Sequence, residues 1–131
     1  MRPVMKHVKP DKSQARRVDE PTHFEGIVYQ QRLIGPDDSD EVGYMAVWFD
    51  NGARSLPHVH LNDQVLAVVE GTCEVADASE RRIVPAGETV MVKRGEWHWH
   101  GAARGHSACH ITIKKPGDTT WDVERRDWGE R

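Results

Sequence analysis

From Phe24 onward the chain alternates short apolar runs with clusters of turn residues. Residues 27–33 form one run, closed by Gly35-Pro36-Asp37-Asp38, and residues 42–49 form the next, closed by Asp50-Asn51-Gly52. The run 64–69 stops at Glu70-Gly71, which predicts a hairpin turn into 72–76. Residues 77–80 then turn the chain into 81–84, Pro85-Ala86-Gly87 leads into 89–92, and Arg94-Gly95 precedes 97–100. A last run, 107–113, ends before Lys115-Pro116-Gly117. No stretch carries an apolar stripe of period 3.6. Seven or more short strands with regular turn signals therefore predict an all-β sandwich or barrel, not alternating strand–helix units.

Residues 1–20 are polar and hold Pro3 and Pro10, so they read as a solvated arm ahead of a barrel over 21–123. Residues 124–131 are charged again and read as a C-terminal tail. A chain of 131 residues fits one domain with a hydrophobic core of its own. Its net charge of −3 argues against a nucleic-acid partner, and its apolar runs are too short to span a membrane. Two cysteines, Cys73 and Cys109, make no disulfide framework, and no secretory h-region follows Met1. Free thiols and a cytoplasmic location are expected.

Eight histidines in so short a chain call for an explanation, and most fall between 58 and 110. Alternate residues of a strand project on one side. His58, His60 and Gln64 share parity, and His58 and His60 are spaced to bind one ion together. His98 and His100 repeat that spacing, with Trp97 and Trp99 on the opposite face. Cys109 has the opposite parity from His110 and reads as core. Neutral imidazole is the commonest protein ligand for first-row divalent metals, and the set as a whole points to a metal site.

The spacing Gly52-x5-His58-x-His60-x3-Gln64-x6-Gly71 resembles the first cupin motif, with Gln where most members place Glu. Gly87-x5-Lys93-x-Gly95-x2-His98-x3-Ala102 resembles the second, with Lys93 for the usual Pro and Ala102 for the usual Asn. The resemblance runs from about Val42 to Ile113. It implies a cupin double-stranded β-helix, or jelly-roll barrel, with one divalent transition metal held by His58, His60, Gln64 and His98. It also implies a homodimer. The run from Gly95 to Ala102 is similar to the small cupins labelled carboxymuconolactone decarboxylase-like, which include cupin hydroxynitrile lyases with three His and one Gln around manganese. That likeness places His100 and His110 beside the metal, and Thr119-Thr120-Trp121 also looks alike.

Exchanging Glu for Gln removes a negative charge from the ligand set, so a bound dication acts as a stronger Lewis acid and is harder to oxidise. The expected function is a metal-dependent lyase of a small-molecule substrate, with His100 and His110 as candidates for proton transfer. An oxygen-dependent cupin dioxygenase and a non-enzymatic small-molecule-binding cupin are the alternatives. For His110, a role in orienting a ligand is the competing reading. Manganese is the first choice of metal, with Fe, Zn, Ni, Co and Cu left open. Val47, Phe49, Leu66 and Ile111 are expected to wall the pocket.

Overall fold

The computed structural model describes residues 4–131, so the first three residues of the expected arm lie outside it. Ten strands follow in chain order: β1 Arg16–Arg17, β2 Phe24–Ile34, β3 Gly43–Ser55, β4 Val59–His60, β5 Gln64–Asp77, β6 Arg81–Pro85, β7 Thr89–Val92, β8 His98–Ala102, β9 Ala108–Lys114 and β10 Thr119–Thr120. Among the described residues the only helix is a single 3-10 turn, Lys12–Gln14. The jelly-roll barrel is therefore all-β, as the apolar pattern predicts.

Two long strands close it. The first half of β3 pairs with β9, from Gly43↔Lys114 to Phe49↔Ala108, and its second half meets β8 at Arg54↔Gly101. β5 does the same, pairing with β9 over 64–71 and with β8 over 73–77. Two of the expected turns are bends instead. Residues 64–77 form one strand, not a hairpin, because the chain bulges at Val69, between Val68 and Glu70, and Glu70-Gly71 stay paired with β9. Gly71 has φ +67°, and a Cβ there would run into the Ser107 carbonyl, so only glycine lets β5 pass so close. Asp50-Asn51-Gly52 likewise bends β3 without ending it, with Asn51 at φ 44° and Gly52 at φ 76°.

Period-two alternation sorts the side chains. Val28, Val47, Phe49, Leu66, Val68 and Ala108 point inward and pack with Cys73, Val75 and Val84. Burying each large apolar side chain of this set stabilises the fold by roughly 1.5–3 kcal/mol. Ala46, Trp48, Cys109 and Ile111 face the other way, under Ala15 and Tyr29. Both cysteines are free and buried, and burial pushes each thiol up to about 12.

The segments read as arm and tail both lie on the barrel. β1 pairs with β2 at Arg16↔Gln30, and Val18 is buried. At the other end Trp128 is buried with Leu56, Trp97 and Trp99, and its indole N–H donates to the Ser55 carbonyl at 2.9 Å. Arg54 stacks on the Trp128 ring at 4.0 Å and bonds Glu25 at 3.0 Å. Arg131 donates to the carbonyls of Gly52 and Ala102, each at 2.6 Å. The charges in 124–131 thus disguise a docked segment. Trp128→Phe removes the indole donor and strands the Ser55 carbonyl, and should cost about 1–2 kcal/mol in denaturant unfolding.

Candidate metal centre

The strand register builds the inner wall in rows. Gln30, Val47, His110 and Val68 lie side by side, and the next row holds Arg32, Met45, Thr112 and Leu66. Beyond them Gln64 sits opposite Lys114. The wall therefore runs from an apolar floor at Val28 and Phe49 to a polar mouth. The two histidine stretches meet across it. His58 N–H donates to the His98 carbonyl at 2.9 Å, and His98 N–H donates to the His58 carbonyl at 3.1 Å. Gly95 N–H reaches the His60 carbonyl at 2.9 Å, which clasps the same join.

His58, His60 and His98 are buried, and one ring nitrogen from each lies within 4.8 Å of those of the others. Their outer nitrogens are committed elsewhere. His58 Nδ1 donates to the Leu56 carbonyl at 2.8 Å and His98 Nδ1 to the Glu96 carbonyl at 3.0 Å. His60 Nδ1 lies 3.0 Å from the Thr119 hydroxyl, on β10, which pairs with β4. A neutral imidazole has one N–H. With Nδ1 protonated, the Nε2 lone pairs of His58 and His98 face the centre. His60 Nε2 is buried with no partner in the protein.

Gln64 completes the arrangement. Its amide N–H donates to Thr112 Oγ1 at 2.7 Å, which turns Oε1 toward His98 Nε2 at 3.1 Å. Two lone-pair atoms at that distance repel unless a cation lies between them. Burial, the largest influence on each ring, holds all three histidines below their ordinary value, His60 down to about 3. Neutral donors with inward lone pairs suit a divalent cation, and these residues fit one.

Beside this set lies a second histidine pair. His110 Nε2 and His100 Nδ1 are 2.9 Å apart, and both side chains are buried. Burial depresses both, His110 to about 4, with His110 acting further on His100. One of the two nitrogens donates and the other accepts. When His100 Nδ1 donates, its Nε2, which has no other partner in the protein, presents a free lone pair. The His100 ring centroid is 5.1 Å from that of His58 and 5.7 Å from that of His98.

His58, His60, Gln64, His100 and His110 line a cavity of about 360 Å³, together with Val47, Met45, Phe24 and Trp121. Val47 walls it as expected. Phe49 and Leu66 lie deeper in the core, and Ile111 faces outward because its parity is opposite to that of His110. A larger groove of about 570 Å³ against β6 and β7 has no histidine or cysteine in its walls. Trp97 and Trp99 pack under the C-terminal segment, away from the cavity, and His106 is exposed. His23, which has no partner evident in the sequence, bonds Glu20 at 2.7 Å and stacks on Trp121 at 4.1 Å. Trp121 in turn lies 4.4 Å from the His58 ring. Thr112 shares the parity of His110 and was legible from it, whereas nothing local to Thr119 points to His60.

The cupin domain family (Cupin_2) matches residues 47–113. The (R)-mandelonitrile lyase of Granulicella tundricola is 32% identical over 109 residues, 82% of this chain and 79% of the lyase. The pectin degradation protein KdgF of Dickeya dadantii is 36% identical over 61 residues, 46% of this chain and 56% of KdgF. Among solved structures, a cupin-like protein from Thermotoga maritima superposes with a TM-score of 0.74 at 28% identity, covering 79% of this chain and 81% of that one.

Proposed function

The chain belongs to the cupin domain family, and from that premise we propose that it is a metal-dependent lyase of small molecules, of the hydroxynitrile lyase kind. His58, His60, His98 and Gln64 would hold the ion, with manganese the first choice. A bound dication supplies Lewis acidity, polarising a hydroxyl or carbonyl oxygen of the substrate. Its four neutral donors also weigh against an oxygen-activating cycle, because no protein anion would offset a higher charge.

The observation that carries the reading is the His100–His110 pair beside that donor set. Metal ligation alone does not need it. In cyanohydrin cleavage, His100 Nε2 takes the hydroxyl proton, the C–C electron pair leaves with cyanide, and the carbonyl forms. The proton then passes to cyanide, giving hydrogen cyanide and an aldehyde. The bond to His110 keeps the His100 ring oriented and spreads its transient charge over two rings. Burial keeps the pair neutral and ready to accept, and Trp121 shields one side of the cavity.

The test is release of benzaldehyde from mandelonitrile by metal-loaded protein, followed by absorbance. A rate clearly above that of the same metal in buffer is expected, equal in air and under argon. Folded, loaded protein that is no faster than the free ion, in cleavage and in synthesis, overturns the reading.

A further inference from the structure

Three cations stand at the mouth of the same cavity, all on the inward faces of their strands. Arg16 lies on β1 opposite Gln30, Arg32 on β2 opposite Met45, and Lys114 on β9 opposite Gln64. All three line the cavity that holds His58, His60 and His100. Lys114 is two residues past Thr112, about 7 Å along the strand. Lys114 thus stands opposite Gln64, one step beyond the Thr112 hydroxyl that holds the Gln64 amide.

What sets these three apart is that they line one cavity together. Several cations elsewhere are matched, among them Lys6 with Asp38, Lys12 with Asp50, Arg54 with Glu25, Arg82 with Glu80 and Lys93 with Asp63, while others such as Lys9, Arg17, Arg94 and Arg104 stand apart from this cavity. Among the described residues, Arg16, Arg32 and Lys114 have no carboxylate within 4.0 Å. Arg16 makes a 3.4 Å bond to the Gln30 side-chain oxygen. Lys114 leans on the carbonyls of Lys115 and Gly117 at 3.2 and 3.5 Å. The one acidic residue in the cavity wall, Glu20, is engaged by His23. Exposed Asp118 acts on Lys114 from outside the cavity, but burial and Arg32 prevail and lower its pKa. A protein of net charge −3 has nonetheless gathered three cations against one carboxylate, Glu20, in the wall of one cavity.

We propose that the cavity takes small molecules bearing a carboxylate at the end remote from the reacting carbon, held by Arg16, Arg32 and Lys114. Arginine forks match a carboxylate with two parallel hydrogen bonds, and a half-buried lysine adds charge where water screens it least. The inference rests on reading this cavity as a small-molecule site, and it deepens that reading by naming the substrate class.

Benzoate and benzamide have nearly the same shape and differ in charge. Titrated calorimetrically into metal-loaded protein, benzoate should bind at least about tenfold more tightly, a difference of about 1.4 kcal/mol. The double variant Arg32→Gln/Lys114→Gln should bring the two within about threefold at unchanged metal content, whereas Arg32→Lys keeps most of the preference. No preference in the parent protein overturns the proposal. So does a preference that survives in the double variant with metal retained, because the carboxylate then goes to the ion. Phenyl phosphate binding more tightly than benzoate overturns the choice of carboxylate. Mandelonitrile turnover separates the two readings: a benzoate preference without turnover sinks the lyase alone, and turnover without the preference sinks the anion site alone.

Discussion

His100→Ala is expected to slow cyanohydrin cleavage by about 10²- to 10⁴-fold while leaving the metal content unchanged, the usual range for loss of a positioned base. The side chain is buried against His110 at 2.9 Å and lies beside the donor set without being assigned to it. Its removal therefore takes away the proton acceptor and spares the ion. His110→Ala should give a smaller loss, because His100 keeps its own lone pair and loses only the partner that orients it. Stopped-time product assays paired with metal analysis of the same samples check both. Activity of His100→Ala within about threefold of the parent would remove the base assignment. If ligand affinity persists in both variants and no parent turnover exists to lose, the chain is a binding module.

The second large effect concerns the ion itself. His58→Ala and His98→Ala should each lower metal affinity by about 10²-fold or more, since each removes one donor while the backbone bonds that join the two histidine stretches remain. His60→Ala should do the same through its orphaned Nε2. His23→Ala should keep a full complement, because His23 bonds Glu20 and stacks on Trp121 without facing the three nitrogens. Gln64→Glu should retain the metal and make its oxidation easier by restoring an anionic donor. Elemental analysis after dialysis against a weak chelator reads all of these. A His58→Ala protein that keeps its metal would dissolve the ligand assignment.

Much of this was legible from the chain. Period two placed His58, His60 and Gln64 on one side, put Cys109 opposite His110, and marked residues 89–92 as a strand with the bounds observed. What failed has two physical causes. Asn-Gly and Glu-Gly signal positive φ, and positive φ serves a bulge as well as a hairpin; only the partner strands distinguish the two. At Gly71 the deciding neighbour is Ser107, far along the chain. The second cause is that burial of polar segments is a long-range property. The run 124–131 is strongly charged, yet its Trp128 is buried and its Arg131 finds two part-buried carbonyls. Thr119 reaches His60 through β10, a pairing that no local pattern announces.

The row structure of the barrel wall has an evolutionary reach. The cations sit on the same rows as the inner groups: Lys114 lies opposite Gln64, Arg32 shares a row with Thr112, and Arg16 joins the row of His110 through Gln30. Exchanges at positions 16, 32 and 114 alter the charge that lines the cavity and leave every histidine in place. A lineage built on this scaffold can change its diet by point mutation at the opening while inheriting its reactive interior intact.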